Sequence, residues 1–267
     1  MMDKSEVSNN FTFWQHLEEL RGCIFKILIA VIVFSVLAFV FKDFLFTFLL
    51  APKSPTFITY KILKASPFEI TLINTLITGQ FMMHLKVAVL VGVILASPYI
   101  LYVLYRFIAP GLYSNEKRYS FRIVAAAYVM FCIGVAVSYL FIFPLTLRFL
   151  ATYSVSEEVG NLLALNSYMD TLLTLSLVFG IVFEIPVLSW LLAKFGLLRA
   201  SWMVKFRKHA IVVILIAAAI ITPTGDPITL GIVFLPIWLL YEASILVVKA
   251  TSKRRKVITE PTLNTNS

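Results

Sequence analysis

From Cys23 to Phe41 the chain runs with a single charged residue, Lys26, and from Leu85 to Tyr105 with only Lys86. About 20 apolar residues suffice to carry a helix across the hydrocarbon core of a bilayer. Runs of that length constrain the fold more than any other feature here. In hydrocarbon every backbone polar group must be bonded within its own segment, so such runs can only be helices. Two more of the kind follow at Phe121–Leu145 and Leu172–Ala193, and a fifth, Ile228–Val248, is interrupted only by Pro236 and Glu242. Composition agrees: the chain is 60% hydrophobic and 14% charged, with a mean hydropathy of +0.91. Water-soluble domains hold roughly 25% charged residues. Disordered, collagenous and disulfide-framed chains, and an ordinary cytosolic enzyme, are all excluded on the same ground.

The stretch Ala210–Ile221 is short for a span and would also suit a re-entrant segment. Charge decides. Lys205, Arg207 and Lys208 precede it, and Lys249, Lys253, Arg254, Arg255 and Lys256 follow the next apolar run. If both clusters stay in the cytoplasm, the segment between them crosses an even number of times. Thr222 to Pro227 is rich in turn formers and supplies the bend. The expected fold is an all-α integral membrane protein with six transmembrane helices, the last two short, and both termini cytoplasmic. That arrangement puts 17 of the 23 Lys and Arg on the cytoplasmic side, as the positive-inside rule requires. The expected organisation is a cytoplasmic amphipathic segment at 1–22, a six-helix transmembrane domain at 23–248 and a basic, disordered cytoplasmic tail at 249–267. The first apolar run shows no small-residue cleavage pattern and is expected to be retained. The two long exterior loops have room for short helices.

Only six acidic residues share that cytoplasmic side: Asp3, Glu6, Glu18, Glu19, Glu116 and Glu260. Glu18 and Glu19 close a stretch in which Phe13, Trp14, Leu17 and Leu20 recur at helical spacing. Glu116 follows the turn at Ala109, Pro110 and Gly111. Solvated helix-face carboxylates are one reading. A paired-carboxylate site for a cationic ligand is the other, and arginine suits it because its planar fork bonds carboxylate in bidentate fashion. Inside the membrane, Glu184 lies ten residues before Lys194, about 15 Å along a helix. Pro186 should leave the carbonyl of Val182 without its partner and kink the helix. A carboxyl at that depth costs roughly 2.5–3.5 kcal/mol and points by default to a cavity or a partner. Glu242 sits nearer a helix end and is open to snorkelling or to a functional role. No nucleotide-binding, zinc-protease or serine-hydrolase motif is present, and the histidines are scattered. No cofactor is expected.

In order along the chain these residues resemble TatC, the polytopic receptor subunit of the twin-arginine protein translocase. His16-Leu17-Glu18-Glu19-Leu20-Arg21 is similar to the family's H-L-x-E-L-R. Ala51-Pro52, Ser66-Pro67-Phe68 and Ser97-Pro98 match shorter motifs, and Phe107 to Tyr113 with Glu116-Lys117-Arg118 resembles its most characteristic loop. Phe183-Glu184-Ile185-Pro186 matches an intramembrane glutamate motif, and Thr222-Pro223 with Asp226 resembles the turn between the last spans.

The resemblance implies that Glu19 and Glu116, supported by Arg21, Phe107, Pro110 and Leu112, bind the twin-arginine motif of a signal peptide. It implies that Glu184 and Thr222 form an intramembrane polar or partner site, with Pro52, Asp226 and Glu242 also functional. Single-span TatA/TatB-type subunits, the lipid bilayer and further copies of the chain are the implied partners, and folded proteins cross on the proton-motive force without catalysis by this chain. Val103 and Leu230 stand where the family often carries Gln. The alternative is a proton-coupled small-solute transporter using Glu184 and Glu242, although such folds usually show internal repeats that this sequence lacks.

Overall fold

The computed structural model describes residues 13–64, 70–108, 120–153, 162–222 and 225–259. Helix α1 (Phe13–Val40) is the first span and turns at Phe41 into α2 (Lys42–Leu50). A short 3-10 turn at Ala51–Lys53 and α3 (Ile58–Ile62) follow, and then strand β1 (Leu72–Ile73). Span two is α4 (Gly79–Ile108). Span three is α5 (Ser120–Val137), a π-helical turn at Ser138–Ile142, and α6 (Phe143–Thr152). Strand β2 (Leu163–Ala164) leads to span four, made of α7 (Leu165–Val182) and α8 (Ile185–Lys194). After α9 (Ala200–Lys205) come α10 (Arg207–Ile221) and α11 (Pro227–Thr259), the fifth and sixth spans, joined as a hairpin. Among the described residues, five helices are long and apolar enough to cross a membrane. The sixth, α10, has 15 residues and spans about 22 Å.

The spans outrun their apolar runs. Helix α4 begins six residues before Leu85, and α7 begins seven residues before Leu172. Helix α11 likewise continues beyond Lys249 to Thr259, into the tail that the sequence reads as disordered. Lys and Arg are good helix formers, and neither Gly nor Pro intervenes before Pro261. Pro98 and Pro236 sit inside α4 and α11 without ending them.

Close approach between spans depends on two glycines. A Cβ on Gly92 would lie 2.7 Å from the backbone nitrogen of Ser35, so only glycine lets α4 meet α1 there. A Cβ on Gly134 would lie 2.8 Å from Cβ of Phe183, and α5 accordingly packs tightly on α7. Small residues at such crossings are the usual means of bringing helices together in lipid. The bulkiest fully buried side chains, Tyr168, Phe143, Phe179, Met169, Leu172 and Leu175, lie on spans three and four. Outward faces are apolar and exposed, as at Ile29, Val36 and Val40 of α1, which suits a lipid surround.

At the end of the bundle that holds Pro52, α2, the 3-10 turn and α3 form a cap. Thr59 donates its hydroxyl to the carbonyl of Leu140, the acceptor that Pro144 cannot serve because it has no N–H. Tyr60 donates to the carbonyls of Pro52 (3.0 Å) and Pro144 (3.2 Å). Burial raises the pKa of the Tyr60 hydroxyl above its usual value, keeping it a donor. Strands β1 and β2 pair in parallel, Leu72 with Leu163 and Ile73 with Ala164, tying the two long connections together.

Candidate functional site

Antiparallel connectivity gathers the start of α1, the end of α4, the start of α5 and the end of α8 at the end of the bundle opposite the cap. Glu18, Glu19 and Arg21 lie exposed there on α1. The guanidinium of Arg21 sits over the ring of Phe25, 5.6 Å from its centre. Because α1 packs along α4, Glu19 comes near the end of α4 that carries Phe107, whose chain leads on to the 109–119 connection. Pro110, Leu112 and Glu116 lie outside the described residues.

Glu184 occupies the break between α7 and α8. The amide of Phe183 bonds the carbonyl of Phe179 at 3.0 Å, that of Glu184 bonds Ile181 at 3.0 Å, and that of Leu188 bonds Glu184 at 2.9 Å. Pro186 supplies no N–H for Val182, so the helix breaks where the proline demands. Glu184 is only 8% exposed, and its Oε1 has no hydrogen-bond partner among the described residues. An unpartnered buried carboxyl oxygen is costly, and it marks a place where a donor from outside the chain would be stabilising.

Below the break α8 diverges from α5, opening a groove of about 440 Å³ between α5, α8 and α11. Arg122, Trp190 and Lys194 line one end of it, Met130 and Pro186 the other.

Thr222 and Asp226 sit in the hairpin turn between α10 and α11. Thr222 is buried and returns its hydroxyl to the carbonyl of Ala218 at 3.0 Å. Asp226 caps α11: its Oδ1 accepts from the amide of Thr229 at 2.7 Å, with Pro227 at the first helical position. Gly225 takes a positive φ of 59° to make the turn. Leu230 follows on α11 and is packed against the core, and Val103 is buried on α4. Pro52, buried in the cap, serves through its carbonyl as an acceptor for Tyr60.

Glu242 meets Arg207 at 2.6 Å, an ion pair that ties α10 to α11. Nearby, Tyr241 donates to the carbonyl of Met203 at 2.9 Å. A second ion pair escaped the sequence reading. Lys86 of α4 and Asp170 of α7 meet at 2.7 Å, and both are about half exposed. Asp170 falls in a loop if the fourth span begins at Leu172, and Lys86 stands at the very start of the second if that begins at Leu85. The helical signal that would have included Asp170 is the apolar spacing of Leu165, Tyr168, Met169 and Leu172. His84 was legible only as a histidine near a span end; it stacks on Phe39 with 3.9 Å between ring centres and bonds that residue's carbonyl at 3.0 Å.

A family profile described as "Sec-independent protein translocase protein (TatC)" matches residues 15–236. The TatC protein of Carboxydothermus hydrogenoformans is 32% identical over 89% of this chain and 93% of its own length. That of Aquifex aeolicus is 34% identical over 91% of this chain and 97% of its own. A crystal structure described as the twin arginine translocase receptor TatC superposes with a TM-score of 0.76 at 35% identity, covering 89% of this chain and 99% of that one. The motifs at Glu19, Glu184 and Thr222 thus lie in a chain whose sequence and six-span fold agree with TatC over most of its length, and the chain belongs to the TatC family of Sec-independent protein translocase proteins.

Proposed function

We propose that the chain binds the twin-arginine motif of signal peptides with Glu19 and Glu116, and that single-span TatA/TatB-type subunits join it to export folded proteins on the proton-motive force. The observation that carries this reading is the exposed Glu19 on α1, packed beside the α4 end whose chain continues into the Glu116 connection. The reading extends to Arg21, Phe107, Pro110 and Leu112 as supporting residues. Two carboxylates among many cations would recognise arginine selectively, since lysine cannot form the bidentate fork. The termini are cytoplasmic in this reading, residues 1–22 form the receptor's leading segment, and the membrane is the plasma membrane. Glu184 and Thr222 meet partner helices, with Asp226, Pro52 and Glu242 holding the frame around them. The relatives described above are named translocase proteins, not solute transporters.

A double-mutant cycle tests the assignment, with Glu116→Gln in the chain against Arg→Lys in a twin-arginine peptide. Each change alone should weaken binding by about tenfold to a hundredfold, the worth of one charge-assisted hydrogen bond. The second change should then add little. Simple additivity of the two losses would mean that this carboxylate does not read that arginine.

A further inference from the structure

We propose that the groove between α5, α8 and α11 is a binding site for one anionic phospholipid, with an acyl chain along its walls and the headgroup phosphate held by Arg122 and Lys194. Its shape follows from the proline break. Above the break, Gly134 lets α5 meet the backbone of α7. Below it, α8 leaves that direction, and α5 and α8 separate toward their common end. The wedge between them is the groove.

Its chemistry is divided along its length. Helix α5 runs inward from Arg122 to Met130, while α8 runs outward from Pro186 to Lys194, so the two cations share one end and the apolar pair the other. Eight residues separate each pair, about 12 Å of helix, close to the ~15 Å hydrocarbon depth of one leaflet. Val187 and Val247 complete an apolar wall, and Ala126 is exposed at its edge, so the groove opens sideways. Water has nothing to bond along such a wall, whereas an alkyl chain fits it.

Charge then selects the lipid. Arg122 and Lys194 stand at the mouth, and the ammonium of Lys194 lies over the Trp190 ring, 5.4 Å from its centre. The next fourteen residues, through Lys208, add Arg199, Lys205 and Lys208 and hold no acid, while Arg207 among them is paired with Glu242 of α11. A basic mouth on an apolar slot between spans matches phosphate with an acyl tail, and a zwitterionic lipid gains less from it. The proposal does not depend on the peptide-binding assignment.

Trp190 makes the site readable. The full chain with Trp14, Trp202 and Trp238 each changed to Phe keeps one tryptophan, in the groove wall. Reconstituted in phosphatidylcholine vesicles, its fluorescence is titrated with phosphatidylglycerol or with phosphatidylcholine, each carrying brominated chains. Phosphatidylglycerol should quench at least about fivefold more effectively per mole of lipid. Arg122→Gln with Lys194→Gln should erase that preference while brominated phosphatidylcholine still quenches, and Arg122→Lys should keep it. Val187→Phe, which fills the slot, should reduce quenching by both lipids. Equal quenching by the two lipids in the Trp190-only chain would reduce the groove to ordinary lipid contact and overturn the proposal, as would no quenching by either.

Discussion

Tyr168 of α7 donates its hydroxyl to the carbonyl of Leu49 at 2.9 Å, joining the fourth span to the last turn of α2. Carbonyls in a helix's last turn lack intrahelical partners, and here a side chain from another element supplies one. Tyr139 donates to the carbonyl of Phe48 at 2.5 Å, which also accepts from the amide of Ala51. The cap is therefore held to the bundle by hydroxyls donating to carbonyls, with aromatic packing between Phe48 and Tyr139 beside them.

Replacing Tyr168 with Phe removes the donor and leaves the Leu49 carbonyl buried and unpaired. The expected loss is about 1–2 kcal/mol, read as a lower thermal midpoint in detergent. Tyr99→Phe, on an exposed ring, should change it little. Equal midpoints for the two variants would mean the hydroxyl does not hold the cap.

Glycines separate in the same assay. Gly134→Ala brings a methyl within 2.9 Å of the Phe179 carbonyl carbon and should cost about 1–3 kcal/mol through displaced backbone. Gly231 meets nothing within 4 Å on α11. There alanine should be neutral or stabilising by up to about 1 kcal/mol, because the helix no longer bears glycine's entropy.

Glu184 lies about 15 Å along α8 from Lys194, too deep to touch arginines held at the surface. Glu184→Gln should leave twin-arginine peptide affinity within about twofold, since the surface contact worth a factor of ten or more is untouched. Export of a folded reporter should fall sharply. A variant that loses peptide affinity while keeping its thermal midpoint would contradict this separation of roles.

Orientation is accessible to thiol labelling once Cys23 and Cys132 have been replaced. A cysteine at Thr56, exposed in the cap, should react with a membrane-impermeant reagent in intact cells. One at Ser201, exposed on α9, should react only after permeabilisation. The reverse pattern would invert the whole topology.

Much of this fold is written in local chemistry. The apolar runs dictate helices because lipid offers the backbone no other partner. Pro186 alone announces the break beside Glu184, and Thr222 to Pro227 announces the last hairpin, since a missing N–H and a positive φ are properties of single residues. The span ends were less legible: Asp170 reads as a loop charge and Lys86 as a lone cation at the start of a span, whereas α4 and α7 pair them at 2.7 Å. A charged residue looks like a boundary when its partner lies 84 positions away.

The sequence by itself determined that this chain is helical, spans the membrane six times and carries a carboxyl deep in the fourth span, because those follow from hydropathy and from proline at one position. Only the tertiary structure decided what the polar groups do. It gave Glu242 to Arg207, Thr59 to Leu140 and Tyr168 to Leu49, and left an oxygen of Glu184 unpartnered among the described residues. It also opened the groove below the break, where α8 parts from α5. Each of these is a relation between distant segments, and a hydrogen bond or a cavity exists only once packing has fixed the distance across it.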